Sequence, residues 1–405
     1  MRVDATTIAA ARTALTGAVI RTPLVEAATL SALAGTRVLL KLENLQVTGS
    51  FKARGALIRL LAMDTLARAA GLVAVSAGNH AQGVAWHARR LGIPATIVMP
   101  VGTPFTKVER TESLGATVIL AGETLAEAQG HAERMAAADG LTLIHPYDDA
   151  DIIAGQGSIG AEMLEDCPDL DTLIVPVGGG GLMAGIAIAA RSIKPSITLI
   201  GVQAEGFAPL ARHPFAATVR AQTLAEGIAV KHPGHLTRPI IEHLVDDVVT
   251  VDEAQLEQAV ELMLEGQKQV AEGAAAAPLA ALLADTARFA GRTVGLVVSG
   301  GNIDNRLLSS LLMRGLVRAG RLARLRIEIS DAPGRLARVA DLIGANGGNI
   351  LEVHHQRLFQ DIPVKYAELD VVVETTDSTH LATMMTRLGA AGFPTRLLGS
   401  RAGGE

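Results

Sequence analysis

The sequence predicts an α/β protein with two lobes of parallel sheet and a smaller C-terminal domain of βαββαβ order. Three observations predict it. Short β-branched runs recur from about residue 38 to residue 299, each followed by a stretch with helical periodicity. Most of these runs are apolar without alternation, as strands covered on both faces are. Beyond Ser299 the pattern changes to alternating strands and two short helices. At 405 residues the chain is long enough for more than one domain, and 49% hydrophobic against 19% charged residues excludes a disordered or fibrous class.

Taken in order, strands are expected at 38–42, 72–75, 95–99, 116–120, 141–144, 172–177, 198–203, 248–251 and 294–299. Ligands in open parallel sheets sit at the carboxyl ends of strands, so the residues just after each strand carry most weight. Three glycine-containing segments lie there: Ser76-Ala77-Gly78-Asn79-His80, Gly178-Gly179-Gly180-Gly181 and Ser299-Gly300-Gly301-Asn302. From Asn305 to Ile327 there are six arginines and no acid, with Leu307, Leu308, Leu311, Leu312 and Leu316 on one helical face. This reads as the last helix of the larger part and a connector. An alternating strand at 325–329 follows, then a turn at Asp331-Ala332-Pro333-Gly334 into a helix carrying Leu336, Val339, Ala340 and Ile343. Asn346-Gly347-Gly348-Asn349 ends that helix. Strands near 350–358 and 366–374, a helix from about Ser378 and a strand near 394–398 complete the order. The expected domains are 1–320, with a smaller lobe at about 45–150, and 325–402.

Composition narrows the partners. With 2% aromatic residues and a net charge of −5, the chain lacks the basic face and stacking rings of a nucleic-acid binder. The apolar stretch 273–284 is too short for a bilayer, which needs about 20 residues, so no membrane partner is expected. An acid at Asp4 sits where a secretory signal would place its apolar core, and the lone Cys167 can make no internal disulfide. A cytoplasmic location follows as the expectation. His145 and His232 have no metal-ligand spacing to a second histidine, so no metal ligands are expected.

Chemistry concentrates in a few segments. Four glycines after an apolar strand and before a helix let consecutive N–H groups converge on a phosphate, aided by the helix's positive end. A tight strand–helix turn accounts for one or two of them, rarely four. Ser76 to His80 reads equally as a helix cap or as an anion site. Lys52 lies between Gly49 and Gly55, beside Phe51; a lysine buried against an apolar ring loses charge and gains nucleophilicity.

The stretch Lys41-Leu42-Glu43-Asn44-Leu45-Gln46-Val47-Thr48-Gly49-Ser50-Phe51-Lys52-Ala53-Arg54-Gly55-Ala56, with the three glycine segments in order, resembles the threonine and serine dehydratases. These are pyridoxal-phosphate enzymes of tryptophan-synthase-β-like fold (fold type II), and the C-terminal part resembles their ACT regulatory domain. The resemblance covers the whole chain. It implies pyridoxal 5′-phosphate as cofactor, Lys52 as its Schiff-base lysine and catalytic base, and Phe51 beside it. Asn79 would hold the cofactor 3′-oxygen, Gly178, Gly179, Gly180 and Gly181 the phosphate, and Ser299 the pyridine nitrogen. A serine there makes the ring a weaker electron sink than a carboxylate would. Ser76, Ala77, Gly78, Asn79 and His80 would clamp the substrate carboxylate, with His80 carrying no proton.

The implied reaction is ammonia loss from L-threonine to give 2-oxobutanoate, and from L-serine to give pyruvate. A serine racemase or a hydroxy-aspartate dehydratase on the same scaffold, or an amino-acid-sensing pseudoenzyme, are the rival readings. Racemisation needs a second acid/base on the opposite face of the substrate. The racemase has a serine where this chain has Ala77, and alanine transfers no proton. Glu272 and Glu226 lie in segments similar to family motifs, with surface or capping roles equally open. The ACT-like part implies an amino-acid effector, and a homo-oligomer, dimer or tetramer, is expected.

Overall fold

The computed structural model describes residues 3–211, 222–356 and 365–399, and the chain divides into two compact units, Met1–Ile303 and Asp304–Glu405. The first unit contains two sheets. The larger has six strands in the spatial order Leu24–Glu26, Arg37–Leu42, Thr293–Val298, Thr172–Pro176, Thr198–Ala204 and Asp247–Val251. Five run parallel, and Leu24–Glu26 is an antiparallel edge strand that the apolar-run pattern did not predict. Three residues are too few to show a period of two. The smaller sheet is parallel throughout, in the order Thr117–Leu120, Ala95–Met99, Leu72–Val75 and Thr142–Leu143.

Both sheets are cored by apolar strand residues and helix faces, Leu173, Val175, Met183 and Ile186 in the larger, Ala74, Ile97, Val84 and Leu60 in the smaller. The helix Ala150–Asp166 is buried along nearly its whole length. It lies against the helix Lys52–Leu61 at a point where a Cβ on Gly155 would fall 2.6 Å from Gly55 Cα. Only two facing glycines permit that approach, and it fixes where Lys52 begins its helix.

The second unit is a four-stranded antiparallel sheet in the order Asn349–Gln356, Tyr366–Glu374, Leu322–Ser330, Thr395–Leu398. Helices Arg335–Ala345 and Ser378–Ala390 bury Val339, Ile343, Leu381, Met384 and Leu388 against Leu325, Ile327, Leu369 and Val371. Arg326 bonds Asp370 on the strand Tyr366–Glu374, and that hydrogen bond holds the Asp370 carboxyl below its ordinary range. The βαββαβ order is the expected one; positions 357 and 358 of the predicted strand 350–358, and 400–402 of the predicted domain, lie outside the described residues. The helix Asn305–Arg318, read from sequence as part of the larger portion, groups with the second unit. The reason is local. Arg321 N–H bonds Leu316 O, Thr375 N–H bonds Arg321 O at 2.9 Å, and the Thr375 hydroxyl bonds Gly320 O, knitting the helix end to the sheet.

Candidate active site

Three adjacent parallel strands of the large sheet deliver the predicted residues to one edge. Lys52 follows Arg37–Leu42, Ser299 follows Thr293–Val298, and the four glycines follow Thr172–Pro176. The Lys52 segment is then tied to the Ser299 segment. Phe51 N–H bonds Ser299 O at 3.0 Å, Gly301 N–H bonds Gly49 O at 3.0 Å, and Ser50 pairs with Gly300 in an antiparallel bridge.

Lys52 is the first residue of its helix, whose buried face carries Ala53, Ala56, Leu57 and Leu60. Its Nζ donates to Pro146 O at 2.6 Å and stands 5.1 Å from the centre of the Phe51 ring. As whole residues Lys52 and Glu272 are only half-buried, yet their charged ends are desolvated. Desolvation pushes the Lys52 ammonium down to about 8, while the negative Glu272 opposes the shift. An amine so placed is substantially neutral near neutral pH, the form that attacks a carbonyl.

The glycine segment owes its shape to packing on its outer side. Thr237 Oγ1 and Gly234 N–H both donate to Gly179 O, at 2.6 and 3.2 Å. A trans peptide with its carbonyl held that way turns the Gly180 N–H in the opposite direction. Gly180 has φ +98°, and a Cβ on Gly179 would lie 2.3 Å from the Tyr147 ring. Among the described residues the N–H groups of Gly178, Gly179 and Gly180 meet no protein acceptor. The helix Gly181–Ile193 starts there, adding its positive end.

On the small sheet, Leu72–Val75 leads through Ser76, Ala77 and Gly78 into the helix Asn79–Leu91. Ser76 Oγ accepts from Gly78 N–H at 3.1 Å and keeps its own proton to donate. Gly78 is the N-cap and offers no side-chain bond, so the first N–H groups of the helix remain available to an anion. Asn79 Nδ2 donates to both carboxylate oxygens of Glu272, at 2.9 and 3.0 Å, and Asn79 Oδ1 is buried without a partner. His80 is buried, its Nε2 meets Ile144 O at 3.0 Å, and desolvation drives it down to about 3. It stays neutral, in keeping with a packing role.

Sequence reasoning weighed Glu272 only as a surface or capping residue. It occupies the N-cap position of the helix Gly273–Ala284, but its side chain does not cap that helix. The carboxylate reaches Asn79 instead, and desolvation pushes it up to about 7 against the pull of Asn79 and the Asn302 N–H. Glu226, by contrast, is an exposed residue paired to Lys107 at 2.9 Å. Tyr147, Asp148 and Thr237 were also missed as supports. Tyr147 bonds His232 O, and Asp148 accepts from His235 and Leu236 N–H at 2.8 and 2.7 Å, pinning the segment that carries Thr237. Their one sequence signal was the His145-Pro146-Tyr147-Asp148-Asp149 run. Among the described residues no group of three His, Cys, Asp or Glu could hold a metal, and no helix is long and apolar enough to cross a membrane.

A family model described as pyridoxal-phosphate dependent enzyme matches residues 15–300. The chain belongs to the pyridoxal-phosphate dependent enzymes. A second model, ACT domain, matches residues 320–391. The pyridoxal-phosphate enzyme is 41% identical over 393 residues to the L-threonine ammonia-lyase of Thermotoga maritima, covering 96% of this chain and 98% of that one. Among solved structures it is similar to a bacterial threonine deaminase (source given as T.th.), at 39% identity and TM-score 0.69, over 74% of this chain and 99% of that one. It is similar also to maize serine racemase, at 33% identity and TM-score 0.71, over 78% and 99%.

The residues present fit that cofactor. A row of unclaimed glycine N–H groups suits a phosphate, a desolvated amine suits an aldehyde, and the buried, unpartnered Asn79 Oδ1 and Ser50 Oγ mark polar groups short of a partner in the protein. Because the Tyr147 ring closes over Gly179, Gly179→Ala is expected to weaken cofactor binding to the stripped enzyme by about tenfold, measured by equilibrium dialysis. Unchanged affinity would remove the segment from the phosphate site.

Proposed function

We propose that this enzyme is an L-threonine ammonia-lyase, converting L-threonine to 2-oxobutanoate and ammonia and L-serine, more slowly, to pyruvate and ammonia. What carries the reading is the desolvated Lys52 amine, set among Phe51, Pro146 and the Ser299 strand end, in a chain whose full-length relative bears that name. When bound, the cofactor supplies the electron sink that makes the substrate's α-proton removable.

The chain does the rest. Lys52 anchors the cofactor, is displaced by the substrate amine, and takes the proton from the substrate α-carbon over a short distance. Gly178, Gly179, Gly180 and Gly181 hold the phosphate through backbone N–H groups. Ser299, 2% exposed, meets the ring nitrogen with a neutral hydroxyl, and Asn79 meets the 3′-oxygen. Ser76, Ala77, Gly78, Asn79 and His80 form the loop for the substrate carboxylate, with the Ser76 hydroxyl and the helix-start N–H groups as donors.

The similarity to maize serine racemase raises a second reading. Ala77 argues against it, since a methyl group can exchange no proton on the opposite face of the substrate. A product assay on L-threonine, L-serine and 3-hydroxyaspartate, with chiral analysis of recovered serine, decides. Keto acid from threonine and no D-serine is expected; accumulating D-serine overturns the assignment. The ACT domain points to an amino-acid ligand, and the reading extends to branched-chain amino acids altering the rate through a cytoplasmic homo-oligomer, dimer or tetramer. Running the same panel with those amino acids, alongside light-scattering mass measurement, tests both.

A further inference from the structure

Glu272 and Asn79 form an unusual pair. An ionised carboxylate can only accept, so while Glu272 is charged the Asn79 amide must show it Nδ2, as it does with both oxygens. The amide's other end, Oδ1, is then the one left buried and unpartnered. A cofactor 3′-oxygen carrying negative charge needs a donor, and Oδ1 is an acceptor. A neutral Glu272 would reverse this, because its O–H donates to Oδ1 and the amide turns Nδ2 outward. Space is tight enough for the two residues to move as one: a Cβ on Gly300 would lie 3.0 Å from Glu272 Oε1 and 3.1 Å from Asn79 Nδ2.

We propose that Glu272 is a positioning residue whose protonation decides which end of the Asn79 amide faces the cofactor 3′-oxygen. The proposal rests on the placement of Asn79 at that oxygen. Glu272 titrates at about 7, pushed up by desolvation, so the exchange falls in the working range. The other groups facing it are the Asn302 N–H, Glu226, which is held by Lys107, and Lys52, with His80 and His145 behind Lys52. Lys52 and the cofactor phosphate also titrate near this range, so the test must cancel them.

The probes are pyridoxal phosphate and its 3-deoxy analogue, which share aldehyde, ring and phosphate and differ only at the 3′-oxygen. Their dissociation constants from the full chain stripped of cofactor are measured by fluorescence at pH 6 and pH 8.5. In the wild type the preference for pyridoxal phosphate falls by about tenfold more between these pH values than in Glu272→Gln. Glutamine imitates the neutral acid at every pH, so E272Q keeps the acid-side preference throughout. Glu272→Met, which can neither donate nor accept in this way, holds the low preference at both pH values. An equal pH step in wild type and E272Q overturns the coupling. Asn79→Ala separates the two layers: loss of the preference upholds Asn79 at the 3′-oxygen, and an unchanged preference removes that placement and the proposal with it.

Discussion

Replacing Lys52 by alanine is expected to lower the rate of keto-acid formation from L-threonine by about 10⁴-fold, the upper end of what a positioned proton-transfer group contributes. The glycine segment does not depend on Lys52, so the variant still binds the cofactor phosphate and folds. Borohydride treatment of the wild type, followed by peptide mapping, should place the reduced cofactor on Lys52, and the variant should carry none. A label on any other lysine ends the assignment. Lys52→Arg is expected to be equally inactive, because a guanidinium cannot lose its proton to become a nucleophile.

The pH dependence has a definite sign. Burial holds the Lys52 amine down to about 8, so covalent capture of the cofactor by the stripped enzyme accelerates as pH rises toward 8 and levels off above it. Glu272 partly opposes that shift. Neutralising it in Glu272→Gln therefore moves the capture profile to lower pH. A profile that moves upward would mean the two groups do not sense each other.

Much of this was readable in the sequence because it rests on local rules. Apolar runs without alternation gave the parallel strands, and the residues just past their ends, Lys52, Gly178 to Gly181 and Ser299, share one edge because sheet topology places three of those ends side by side. What escaped was set by distance along the chain. Glu272 and Asn79 are 193 positions apart, and no periodicity links them. Lys41, Glu43 and Arg54 stood in the most informative stretch, but Glu162, which binds two of them, lies in a helix about a hundred residues on. A segment read as poor in charge pairs is in fact fully paired, out of sight of local sequence.

That buried cluster carries the largest stability effect expected. Arg54 is 0% exposed at its side chain and forks onto Glu43 through Nε and Nη2, both at 2.8 Å. It also reaches Glu162 through Nη1 at 2.6 Å and Nη2 at 2.9 Å, and Ser158 Oγ at 3.0 Å. Lys41 Nζ donates to Glu162 at 2.6 Å and to Thr22 O at 2.7 Å, while the Thr22 hydroxyl bonds Glu43. Two cations and two anions balance, and nearly every lone pair is used. Burial alone would lower the Arg54 pKa, but Glu43 and Glu162 hold it above its ordinary value; burial would likewise raise Glu162, and Arg54 and Lys41 pull it below.

Arg54→Ala strands a carboxylate in the interior, which costs about 3–5 kcal/mol. For a unit of some 300 residues that is a fall of roughly 5–8 °C in unfolding midpoint, readable by calorimetry. Arg54→Lys keeps the charge without the fork and should lie between. Glu162 is depressed in the folded state, so its contribution is fully present above its unfolded value of 4.5 and is lost as pH falls through the lower folded value. The gap between wild type and Arg54→Ala therefore narrows in acid. A gap that stays constant to pH 3 would show that the loss comes from packing around the guanidinium stem rather than from the charge it leaves behind. Because Arg54 stands one residue beyond Ala53 on the helix that Lys52 begins, the surviving activity separates the two roles further. Stability lost with the cofactor-capture profile intact assigns the cluster to holding the helix, and a shifted profile assigns it to setting the amine.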